Sequence, residues 1–121
     1  MKEAYVSYEV AKLLKEKGFD IPSDTSYEDY LWQMYDEDGK VQWGIYSSDW
    51  YFRITQQMAC RWLREEKGIH PELELCIDNE FSFTIYKLDG KRTVLYEESH
   101  CWTKPEDAVD AALLYVFQNL I

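Results

Sequence analysis

Apolar side chains recur at helical spacing through Val10, Ala11, Leu13 and Leu14, behind a Ser7 suited to the N-cap and ahead of a Gly18 suited to the left-handed residue past a helix end. This predicts a first helix over residues 8–17, with Phe19 and Ile21 folding back on its last turn. Residues 20–28 hold Pro22 and the polar run Ser23-Asp24-Thr25-Ser26, and read as a connecting loop. From Tyr30 the period changes to two. Tyr30, Trp32 and Met34 share one strand face and Leu31, Gln33 and Tyr35 the other. After an Asp38-Gly39 turn the alternation resumes at Val41, Trp43 and Ile45, so the two runs predict a hairpin. Residues 47–54 then read as a connection containing the consecutive aromatics Trp50, Tyr51 and Phe52.

Thr55 is the natural N-cap of a second helix, with Met58, Ala59, Trp62 and Leu63 as its apolar stripe and Gly68 as its end. His70-Pro71 leads into three alternating runs, Leu73-Leu75-Ile77, Phe81-Phe83-Ile85 and Val94-Tyr96, joined by turns at Asp78-Asn79-Glu80 and Asp89-Gly90. Loops this short permit only antiparallel neighbours. Thr103-Lys104-Pro105-Glu106 matches the Thr-x-x-Glu capping box and predicts a third helix. Glu106, Asp107 and Asp110 would stand where the helix dipole favours negative charge, above a stripe of Ala108, Ala111, Ala112, Tyr115 and Val116. The order α-β-β-α-β-β-β-α predicts an α+β domain spanning 1–121, with three helices on one face of an antiparallel sheet of about five strands.

Composition narrows what such a domain does. The 121 residues carry 23 acids against 13 Lys plus Arg, for a net charge of −10. Proteins that grip a phosphate backbone usually present a basic face, so direct nucleic-acid binding is not expected. The α-β-β-β-α stretch has the element order of a double-stranded-RNA-binding domain, yet its last helix opens on acids rather than lysines. Met1-Lys2-Glu3 leads straight into the amphipathic pattern and no run is long enough to span a bilayer, which predicts a cytoplasmic protein without membrane contact. Cys60, Cys76 and Cys101 are odd in number and widely spaced, and agree with that setting as free thiols.

The segment Thr55-Gln56-Gln57-Met58-Ala59-Cys60-Arg61-Trp62-Leu63-Arg64-Glu65, followed by Ile69-His70, resembles a group of small uncharacterised proteins from phages and mobile elements of gut Bacteroides-type bacteria. Residues 5–20 resemble the first helix of that group and residues 105–113 the last, so the likeness covers about half of the chain. Here Arg53-Ile54 replaces the proline-containing approach to the second helix that is common in the group. The resemblance implies a setting, an accessory protein of a prophage or mobile element, and no mechanism.

The residue types needed for catalysis are scattered. No Cys-x-x-Cys or His-x-x-x-His spacing offers zinc its ligands, and the five glycines stand singly, unlike a phosphate-binding loop. Neither a metal, a cofactor nor an enzymatic activity is therefore expected. What remains is recognition by contact. Tyr and Trp dominate binding hot spots because they bring large area at low entropic cost. Trp50, Tyr51 and Phe52 are the candidate contact patch: exposed alternate members would meet a partner, whereas a fully packed set would belong to the core. Five tryptophans exceed what a small core needs, so at least one partly exposed ring is expected. The function this supports is a non-enzymatic module acting through protein contact, with a homodimer as one form. The alternative is a nucleic-acid mimic that blocks a host DNA-binding enzyme, suggested by residues 20–39, which hold seven acids and no Lys or Arg.

Overall fold

The computed structural model describes residues 4–20 and 33–121. Its first helix, α1 (Tyr8–Glu16), begins as the pattern predicts: the Ser7 hydroxyl accepts the Val10 N–H at 3.3 Å. It ends in a Schellman motif. Gly18 adopts φ +93°, the Phe19 N–H donates to the Leu14 carbonyl at 2.9 Å, and the Gly18 N–H donates to Lys15 at 3.2 Å. Val10, Ala11 and Leu14 face the core.

Three short strands follow: β1 (Gln33–Tyr35), β2 (Val41–Trp43) and β3 (Tyr51–Phe52), in the antiparallel order β2-β1-β3. The predicted hairpin across Asp38-Gly39 forms, and Asp36 organises it by accepting the N–H groups of Asp38 and Lys40 and the Gln42 side-chain amide, all at 2.8–2.9 Å. Those bonds hold the Asp36 carboxyl below its ordinary value, the Gln42 contribution being the largest. Tyr30 to Trp32 and the connection at 21–28 lie outside the described residues. The expected loop at 47–54 is corrected in one place, because Tyr51 and Phe52 pair with Tyr35 and Met34. Two residues are too few to show an alternating period, which is why this strand is silent in the sequence.

Helix α2 (Gln56–Trp62) starts at Thr55, whose hydroxyl accepts the Met58 N–H at 3.1 Å. Its chain continues through a wider turn, Leu63–Lys67, and Gly68 closes it. Ala59 and Leu63 are buried, but Met58, expected in the apolar stripe, is exposed. The second sheet runs β4 (Ile69–Leu75), β5 (Phe81–Lys87) and β6 (Thr93–Glu97), again antiparallel. In place of the expected single sheet of about five strands, the described residues form two sheets of three.

His70 and Pro71, read from sequence as a lead-in, belong to β4. The Cys76 N–H donates to Glu80 and the Leu88 N–H to Gly68, so even-numbered residues of this strand bond toward β5 and odd-numbered ones point their backbone groups outward. Pro71 therefore lacks its N–H on the open side of an edge strand, where no ladder bond is lost and further pairing is discouraged.

Helix α3 (Pro105–Tyr115) packs on β5 and β4 and also meets α1 and α2. The Thr103 capping box does not form: Lys104 is the N-cap, extended at φ −114° and ψ 134°, with no side-chain cap bond. A Thr103 cap would require Lys104 to be helical, and a residue that precedes proline is driven out of that region. Buried residues of α1, α2, α3 and both sheets join in one apolar cluster that includes Val6, Leu14, Leu63, Phe83, Ile85, Leu113 and Phe117.

Candidate functional site

The aromatic triplet is divided by the pleat of β3. Tyr51 turns to α1, where its ring meets Tyr8 edge-on at 5.7 Å and lies 5.2 Å from the Lys15 ammonium. Trp50 and Phe52 turn the other way and line a cavity of about 300 Å³, together with Phe19, Met34 and Tyr46. All three members of the predicted patch are half-buried. Lys15 fixes the loop that carries Trp50, donating to the carbonyls of Ser48 and Trp50. The Ser47 hydroxyl accepts the Asp49 N–H at 3.2 Å and tightens the same turn. The cavity is thus an aromatic hollow whose rim is tied to α1 through Lys15.

The exposed rings lie just before the triplet. Trp43, Ile45 and Tyr46 are 59%, 54% and 53% exposed, and Tyr46 borders the hollow with its ring 6.1 Å from Phe52. The expectation of an exposed tryptophan is met at Trp43, while Trp50, Trp62 and Trp102 are half-buried. The alternation of Val41, Trp43 and Ile45 is written in the sequence, but how far either face of β2 is covered depends on long-range packing that it does not record.

The cysteine reading needs correction. Cys76 and Cys101 are joined in a disulfide, with Cα atoms 6.7 Å apart, and only Cys60 is a free thiol. Twenty-five residues separate the pair in sequence, and it is the backbone pairing of Phe81 with Trp102, at 2.7 Å in both directions, that brings them together. Spacing alone could not show this. The argument for a cytoplasmic setting from unpaired cysteines falls with it. Burial pushes the Cys60 thiol up to about 11, which leaves it protonated and unreactive at neutral pH. His70 is held below its ordinary value, first by burial and then by Arg64.

Among the described residues no group of three or more His, Cys, Asp or Glu side chains is placed to hold a metal ion. No helix among them is long and apolar enough to cross a membrane. Of the acids in residues 20–39, Asp36 is committed to the hairpin turn, and those from Asp24 to Asp29 lie outside the described residues. Compared with family models, curated proteins and solved structures, the chain matches none.

Proposed function

We propose that the chain is a non-enzymatic module that acts through protein–protein contact, using the aromatic face formed by Trp43, Ile45 and Tyr46 around the hollow lined by Trp50 and Phe52. The observation that carries this reading is that Trp43, Ile45 and Tyr46, close together in sequence, are each more than half exposed, and that Tyr46 also lines the aromatic hollow. Covering the half of each side chain that is still in water would recover roughly 1 kcal/mol per residue. Large rings at the centre of an interface supply most of its binding energy. The setting proposed is that of the resemblance, an accessory protein of a phage or mobile element in the bacterial cytoplasm. In that reducing compartment Cys76 and Cys101 would stand as thiols.

The test compares the tagged wild-type chain with Trp43→Ala/Tyr46→Ala, by capture from extract of a Bacteroides-type host and by sedimentation of the purified protein. A specific partner or a self-associated species that the variant loses supports the reading. Identical captures, with both proteins monomeric at all concentrations, would remove it.

A further inference from the structure

A second surface lies at the end of the β4–β5 hairpin, away from the aromatic face. The odd-numbered residues of β4 begin as core: Ile69 and Pro71 are buried. Along the same face exposure then climbs, to 40% at Leu73 and 69% at Leu75, and it reaches 87% at Ile77 in the turn past the strand end. Leu73 pairs with the buried Phe83, and Leu75 with the half-buried Phe81, so the strip continues the apolar side of the sheet past the helices. From Leu73 to Ile77 it runs about 13 Å at ~3.3 Å per residue. That length accommodates roughly two turns of a helix.

Backbone pairing anchors the strip whether or not the Cys76–Cys101 bond is closed: Phe81 exchanges both hydrogen bonds with Trp102, and the Cys76 N–H donates to Glu80. Asp78 and Asn79 turn the chain at φ +66° and +60°, a region these two residue types enter more readily than other non-glycines. The charge around it has one sign. Residues 69–86 contain four acids, Glu72, Glu74, Asp78 and Glu80, and no Lys or Arg. Glu72 and Glu74 lie on the opposite face of the strand, where Glu72 pairs with Arg92 and Glu74 accepts the Thr84 hydroxyl, which leaves Asp78 and Glu80 at the turn as the acids beside the end of the apolar strip.

We propose that this hairpin end is a docking surface for a basic amphipathic helix of a partner protein, with apolar side chains on Leu73, Leu75 and Ile77 and Lys or Arg against Asp78 and Glu80. A second copy of the chain would bring the same acids and no base from its own strip, so it does not supply the opposite charge. Opposite charge both steers the basic helix to the strip and selects it over an acidic one.

The test titrates the intact protein with a synthetic helical peptide that has leucines along one face and lysines on either side, followed by calorimetry and amide-shift mapping. A peptide with glutamates in place of the lysines is the control. The expected result is binding of the lysine peptide alone, with shifts centred on residues 72–81. Leu75→Ser/Ile77→Ser should weaken it about tenfold or more, ~1.4 kcal/mol. Both positions are exposed, so the variant should fold, and Glu80→Lys gives an independent reading of the charge. Glu66→Lys, which makes the same charge change beyond α2, should leave the affinity unchanged. Equal binding by the Leu75/Ile77 variant, equal losses in Glu80→Lys and Glu66→Lys, or shifts centred on Trp43 and Tyr46 would each overturn the proposal. The last result would leave the aromatic face standing, whereas hairpin binding with no effect of Trp43→Ala/Tyr46→Ala on capture would remove that face alone.

Discussion

The carboxylate of Asp110 in α3 accepts the backbone N–H of Ser7, the N-cap of α1, at 3.0 Å across 103 residues of sequence. One side chain therefore serves a helix start to which it does not belong. Burial pushes its carboxyl above the ordinary value of 3.8, and the Ser7 N–H opposes that shift. A raised folded pKa means that the folded chain holds this proton more tightly than the unfolded one. The resulting stability is fully present below the unfolded pKa and is lost as pH rises through the folded pKa. Asp110→Asn, which keeps an acceptor for Ser7, should flatten this part of the curve and melt at or above wild type at neutral pH. Asp110→Ala should instead cost about 1–2 kcal/mol by leaving a donor unpaired. Urea melts through the acid range check both.

How much of this was legible follows from what each element depends on. The starts of α1 and α2 rest on Ser7 and Thr55 bonding three residues ahead, a local matter that sequence records. The start of α3 lies one residue beyond the Thr103 pattern because Pro105 keeps Lys104 out of the helical region. The Cys76–Cys101 bond and the pairing of β3 with β1 are long-range, and neither leaves a periodic trace. At the hairpin, alternation correctly placed Leu73 and Leu75 on one face of β4, but Ile77, expected in the same strand, stands past its end in the turn. How far α3 reaches along that face is a property of the packed whole. The exposed Trp43 belongs to the same category: its presence was foreseeable from composition and its position was not.

The disulfide gives a direct chemical prediction. Purified under oxidising conditions, the protein should show one thiol, Cys60, which should react slowly until the chain unfolds, since it is half-buried and burial pushes its thiol up to about 11. Adding reductant should raise the count to three. Opening a loop of 25 residues should cost about 3.5 kcal/mol of stability by the chain-entropy relation. Thiol titration and paired denaturant melts with and without reductant read these outcomes. Three thiols in oxidised protein would contradict the pairing.

Core and hairpin truncations should separate cleanly. Phe117 is 2% exposed within the central cluster, next to the Trp62 ring at 6.4 Å. Phe117→Ala should cost about 3–5 kcal/mol through lost burial and the cavity left behind. Ile77→Ala, at a side chain almost wholly in water, should stay within ~0.5 kcal/mol. Thermal or urea unfolding distinguishes the two. A large loss at Ile77 would show that the hairpin end is covered in the isolated protein.

Two glycines with left-handed backbones should differ in the same experiment. Gly18 has φ +93° and nothing within 4 Å of an added Cβ, so Gly18→Ala meets only the backbone penalty of about 1 kcal/mol. Gly39 has φ +79°, and an added Cβ would stand 3.1 Å from the Tyr8 ring. That ring cannot yield easily: its hydroxyl donates to the Glu37 carbonyl at 2.8 Å, and it packs edge-on against both Tyr35 and Tyr51 at 5.7 Å. Gly39→Ala should therefore cost more than Gly18→Ala, by about 1–2 kcal/mol of overpacking added to the backbone strain. Tyr8→Ala lowers stability by itself, but in its background the excess at Gly39 should vanish. A double-mutant cycle by urea melting measures that coupling, and a coupling of zero would mean that the turn and α1 are not in contact.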